Sequence, residues 1–125
     1  MKRTIRVLDV IAVAGLGLLL VTPATAQDAA AGKQVFAQCS VCHSVDGTNG
    51  VGPTLKGIAG SKAGEVPGFR FSRAMKGANI TWNDKTLNDF IADPQKAIPG
   101  NTMPSSGLAD ARQRADVVAY LNTLK

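Results

Sequence analysis

The stretch that decides how this chain is read is "CSVCH", Cys39–His43, which holds both cysteines and the single histidine of its 125 residues. On one helical turn, positions i, i+3 and i+4 share a face, so two sulfurs and an imidazole are presented together. Such a set closes a disulfide, holds a metal, exchanges thiols or anchors a haem. In covalent haem attachment the two thiols add to vinyl groups and the adjacent imidazole ligates the iron, and Cys-x-x-Cys-His supplies all three contacts from one turn of chain.

The competing chemistries lack their remaining parts. A four-coordinate zinc site needs two further ligands, and no cysteine or histidine exists outside the motif. A thioredoxin-like centre is approached by a strand. Here the approach, "DAAAGKQVFAQC" (28–39), reads as helix, with Asp28 as N-cap, an alanine-rich first turn, and Gly32 and Phe36 on one face. A bare disulfide leaves the rest of the chain unexplained.

Upstream, Lys2, Arg3 and Arg6 precede a 12-residue apolar run, Val10–Val21, which is followed by Pro23 and the small residues Ala24 and Ala26. The run falls short of the ~20 residues that span a bilayer. The pattern predicts a signal peptide over 1–26, cleaved after Ala26, and one domain over 27–125 in the periplasm, with no stable membrane insertion after cleavage. Cleavage removes three basic residues and Asp9 from totals of 14 and 9, leaving 11 basic and 8 acidic residues and a net charge of +3 rather than +5. No Lys/Arg-rich run remains to support nucleic-acid binding.

Three main helices are expected. The second lies in "NDKTLNDFIA" (83–92), where Leu87, Phe90 and Ile91 fall at i, i+3 and i+4, with Pro94 as its stop. The third starts near Asp110 and carries Val117, Val118, Tyr120, Leu121 and Leu124. Between the first and second, residues 47–68 hold seven glycines and two prolines and read as loop, as does "KAIPGNTMPSSG" (96–107). No strand or repeat is evident. Loops this long demand an explanation, and a chain this small cannot bury a large core of its own. Both point to a bound group filling the centre.

A haem iron in an electron carrier takes a second axial ligand, and a second histidine is excluded. Of the remaining methionines, Met75 in "FSRAMKGAN" reads as core packing. Met103 in "IPGNTMP" sits in a Pro/Gly-bounded loop able to fold over the opposite haem face. His/Met ligation raises the reduction potential.

These segments resemble class I cytochromes c, the monohaem periplasmic relatives of mitochondrial cytochrome c. The likeness runs from Gly32 to Leu124 through "GKQVFAQCSVCH", "GVGPTLKGIAG", "PGFRFSRAMKGANITW", "TLNDFIADPQKAIPGNTM" and "RADVVAYL". It implies an all-α fold of three main helices and long Gly/Pro loops wrapped around one covalent haem c and its iron. Cys39 and Cys42 are then the thioethers, and His43 and Met103 the axial ligands. Gly32 and Phe36 would cross Val117 and Tyr120. Pro53 would accept the His43 Nδ1–H, and Trp82 would reach a haem propionate. The implied function is one-electron transfer by a monomer and not enzymatic, with a membrane reductase or periplasmic dehydrogenase as donor and an oxidase or another reductase as acceptor. The alternative is a peroxidase-like or gas-binding haem protein, should Met103 leave the iron readily.

Departures from the mitochondrial pattern carry expectations of their own. Phe71 and Phe90 stand where that pattern has tyrosines, Ser61 where it has arginine and Met75 where it has asparagine. Asn101 replaces a threonine two before the ligand methionine, and Ser105 a phenylalanine two after it. Gln95 and Thr102 replace lysines, leaving Lys96. The expectation is a ligand loop with little bracing, a loosened Met103–iron bond and a thinned basic docking ring.

Overall fold

The computed structural model describes residues 27–125 together with Gly17 and Leu20, so the expected signal peptide otherwise lies outside the described residues. Asp28 caps the first helix, α1 (Ala29–Val35), its carboxylate accepting from the Ala30 and Ala31 amides. The helix then tightens into a 3₁₀ turn, Phe36–Gln38. Hydrogen bonds from the Cys39 amide to the Phe36 carbonyl (2.8 Å) and from the His43 amide to the Cys39 carbonyl (3.0 Å) carry the winding through the motif. The approach to the cysteines is therefore helical, without the strand a thioredoxin-like centre requires.

Four further helices follow: α2 (Arg73–Gly77), α3 (Asp84–Ala92), α4 (Pro94–Ala97) and α5 (Ala111–Leu121). Among the described residues the only extended pairing is an isolated bridge between Lys62 and Thr81. The Asn83 and Thr86 side chains cap α3 reciprocally, and Asp110 caps α5 by accepting from the Gln113 amide at 2.9 Å. Both long helices thus start where the sequence places them.

Two short helices correct the sequence expectation. Pro94 does end α3, but it also opens α4, so Lys96 and Ala97 are helical rather than loop. Proline at the first helical position has a fitting φ and no amide to leave unpaired, and Asp93 caps the turn through the Lys96 amide at 3.1 Å. In α2, which no periodicity announced, Ser72 accepts from the Met75 amide at 3.1 Å.

α1 crosses α5 at Gly32. A Cβ there would lie 1.9 Å from the Asp116 carbonyl oxygen, so only glycine permits this approach. The Phe36 and Tyr120 rings meet at 5.3 Å, tilted by 58°, and Val117 and Val118 of α5 are buried. The buried Asp116 carboxylate accepts from the Asp28 amide at 2.9 Å, tying the start of the domain to its last helix.

The glycine-rich segment is loop but firmly held. The Gly57 amide donates to Leu124 (2.8 Å), the Gly60 amide to Trp82 (2.7 Å) and the Ala63 amide to Ile80 (2.8 Å). Of the ten buried hydrophobic residues in the core cluster, seven line a cavity of about 370 Å³. The core is thus built around a space instead of closing on itself.

Candidate cofactor cavity

Cys39, Cys42 and His43 line this cavity, brought to it by the turn that continues α1. The two cysteines are not joined to each other by a disulfide. Burial pushes the Cys39 thiol up from its ordinary value, the opposite of the lowered pKa that makes a thiol–disulfide exchange centre reactive.

His43 is fixed from behind. Its Nδ1 lies 2.8 Å from the Pro53 carbonyl oxygen. A carbonyl only accepts, so Nδ1 carries a proton, and in the neutral ring Nε2 is then the nitrogen with the lone pair. Gly52 makes this contact possible, since a Cβ there would lie 2.6 Å from Cε1 of the ring. The Gly52 amide in turn donates to the Cys42 carbonyl at 2.8 Å, locking proline loop and motif together.

Met103 and Met75 both line the cavity, from the loop after α4 and from α2 respectively. Trp82 lines it as well, buried and edge-on to Phe90 at 5.2 Å. Its indole N–H has no protein acceptor among the described residues, although every fully enclosed side-chain polar atom there is hydrogen-bonded. The N–H is therefore available to a group in the cavity. Lys62 is the one lysine on the lining, and no arginine, aspartate or glutamate among the described residues joins it.

The loop carrying Met103 contradicts the expectation of little bracing. Asn101 is buried, donates through Nδ2 to the Pro94 and Ile98 carbonyls (both 2.8 Å), and accepts at Oδ1 from the Met103 amide (2.9 Å). Gln95 adds bonds to the Asn101 carbonyl (2.8 Å) and from the Gly100 amide (3.2 Å). At the far end the Leu108 amide donates to Ile91 (2.8 Å), and Arg114 donates to the Leu108 and Ala109 carbonyls (both 2.7 Å). Two of the residues that depart from the mitochondrial pattern, Asn101 and Gln95, thus brace the loop. Sequence spacing gave no means of seeing which carbonyls the Asn101 amide would meet.

The donor set fits a haem. Two thiols stand beside an imidazole with a free Nε2, thioether sulfurs and aromatic faces line an apolar enclosure, and an indole N–H is left without a protein acceptor. Cavities of this size hold prosthetic groups and ligands.

The family model for cytochrome c matches residues 29–125. The chain belongs to the cytochrome c family. Cytochrome c2 of Blastochloris viridis is 45% identical over 103 residues, covering 81% of each chain. Cytochrome c2 of Rhodomicrobium vannielii is 43% identical over 118 residues, 90% of this chain and 94% of its own. Among solved structures, cytochrome cH from Methylobacterium extorquens aligns with a TM-score of 0.75 and 47% identity, covering 77% of this chain and 98% of that one. This cytochrome c has the all-α class I fold and is an electron carrier, not an enzyme, with a covalently bound haem c and its iron as cofactor. It works by exchanging electrons with redox partners. No helix among the described residues is long and apolar enough to cross a membrane.

Proposed function

We propose that this cytochrome c is exported, cleaved after Ala26, and shuttles single electrons through the periplasm as a monomer. Its donor is a membrane reductase or a periplasmic dehydrogenase, and its acceptor an oxidase or another reductase. Cys39 and Cys42 form the thioethers to haem, and His43 and Met103 are the axial ligands. The observation that carries this reading is the 2.8 Å contact between His43 Nδ1 and Pro53, which leaves Nε2 as the basic nitrogen in a cavity that Met103 shares.

When bound, haem supplies a one-electron iron couple whose potential follows its axial ligands and the surrounding dielectric. The chain's own residues do the rest. Pro53 fixes the tautomer and ring orientation of His43. Trp82 offers its N–H to an acidic group of the cofactor, and the apolar lining excludes water. Val41 within the motif and Val51 beyond it, about 80% and 77% exposed, give the partner an apolar patch to dock against.

A peroxidase-like role needs an open iron position and a distal base, and the sequence has no second histidine. Two measurements test the proposal. Mass spectrometry of the exported protein is expected to find Gln27 as the first residue, one haem mass added and no free thiol. The reduced spectrum is expected to be six-coordinate and unchanged by carbon monoxide. Ready carbon monoxide binding by the wild-type protein overturns the carrier reading.

A further inference from the structure

We propose that Asn101 is the positioning residue that keeps Met103 on the iron, an inference that rests on Met103 being the axial ligand. The residue is only 6% exposed, and its side chain uses both amide hydrogens and the oxygen. The two hydrogens go to the carbonyls of Pro94 and Ile98, which bracket α4 and belong to residues that are themselves buried. The oxygen receives the Met103 amide. One planar group therefore ties the backbone of the ligand residue to a fixed helical turn.

Only a carboxamide does this, since it carries two donors and an acceptor together. A threonine hydroxyl has one donor, and a carboxylate has none. Gln95 forms the outer half of the clamp, holding the Asn101 carbonyl and the Gly100 amide from the exposed side. Beyond Met103 the chain is fixed again where the Leu108 amide meets Ile91, and Gly107 touches the Ala92 carbonyl so closely that a Cβ would lie 2.1 Å from it. Met103 therefore sits on a short span between two anchors and adjacent to the first. For its backbone to swing away, its amide must leave Asn101.

An outside ligand binds the iron only in the fraction of molecules where Met103 has left, so its apparent affinity reports that fraction. The test uses the ferric holoprotein, with imidazole as probe, in wild type, Asn101→Ala, Gln95→Ala and Met103→Ala. Global unfolding is measured alongside. Asn101→Ala is expected to bind imidazole ~10- to 100-fold more tightly than wild type, given three hydrogen bonds removed. Its sulfur-to-iron charge-transfer band should weaken and its reduction potential should fall. Gln95→Ala is expected to shift affinity about 3-fold in the same direction.

An Asn101→Ala protein that melts earlier but binds imidazole within 2-fold of wild type, roughly the noise of such a comparison, makes Asn101 a simple support of α4 and overturns the proposal. Should Asn101→Ala fail to fold, Gln95→Ala decides, and affinity unchanged there overturns it too. A wild-type protein that binds imidazole as tightly as Met103→Ala and lacks the sulfur band refutes Met103 ligation itself. That failure is distinct from the failure of the clamp.

Discussion

Gly32→Ala inserts one methyl group where α1 crosses α5. Its Cβ would lie 1.9 Å from the Asp116 carbonyl oxygen, 2.4 Å from its carbon and 2.9 Å from the Val117 nitrogen. All three are backbone atoms of a helix, so no side chain can swing aside and the two helices must separate. Overpacking of a well-fitted contact costs about 1–3 kcal/mol, occasionally more. Separation also strains the bond from the Asp28 amide to the buried Asp116 carboxylate, worth about 1–3 kcal/mol if left unmade. Against this, alanine is better than glycine inside a helix by up to about 1 kcal/mol. The expected net loss is about 3 kcal/mol, a large share of the ~5–15 kcal/mol that holds a domain together. In guanidinium chloride, with a slope of about 3 kcal/mol per M, the midpoint by far-ultraviolet circular dichroism should fall by about 1 M. Gly77→Ala is the control: it ends α2, and a Cβ there meets nothing within 4 Å. It should be neutral or stabilising by up to about 1 kcal/mol. A Gly32→Ala midpoint equal to that of Gly77→Ala would refute the close-crossing argument.

Gly52→Ala places a Cβ 2.6 Å from Cε1 and 2.8 Å from Nδ1 of His43. It should push the ring off Pro53, shift the reduction potential and lower holoprotein stability by about 1–3 kcal/mol, which voltammetry and thermal melting will show together. In the loop after the motif, the Asp46 carboxyl is held down to about 2 from an ordinary 3.8, first by the Thr48 hydroxyl, then by the Thr48 amide and the Ser44 hydroxyl. Its folded value lies below the unfolded one, so its stabilisation is present above about pH 4 and lost as pH falls toward about 2. Asp46→Asn should flatten acid unfolding in that window alone, and an NMR titration of Asp46 with a midpoint near 3.8 contradicts the hydrogen-bonded loop. Two molecules meeting through apolar patches make no charge contact there, so salt should raise electron self-exchange only by screening the net charge of +3 on each. The double variant Val41→Lys/Val51→Lys should slow it about 10-fold at low ionic strength, with recovery as salt screens the added charge. Equal rates at all salt concentrations would place the electron-transfer contact elsewhere.

The long helices were legible because each carries two independent signals, a cap residue and apolar periodicity: Asn83 before Leu87 and Phe90, Asp110 before Val117 and Leu121. α2 and α4 are too short for periodicity, so only their caps mark them. "DP" at 93–94, a capping aspartate before a first-position proline, was a readable sign for α4, whereas Ser72 before α2 resembles many loop serines. At the site, Cys39, Cys42 and His43 stood out because chemistry restricts those residue types at that spacing. Pro53 and Trp82 came from resemblance alone, since a carbonyl acceptor or an unpaired indole leaves no periodic trace. The bracing of the Met103 loop was misjudged for a related reason. Comparing residue types shows which contacts are lost, but not the new partners that a substituted side chain such as Asn101 finds once the backbone of α4 is in place.

The bond between Asp28 and Asp116 joins residues 88 positions apart. Closing so long a loop costs entropy before the helix pair returns any packing energy. The first helix therefore has no lasting partner until α5 is present, and a chain delivered amino end first cannot complete its core until nearly its last residues have arrived. Throughout that interval the "CSVCH" turn is held by local contacts alone. In that interval its two sulfurs precede the packing of α1 on α5.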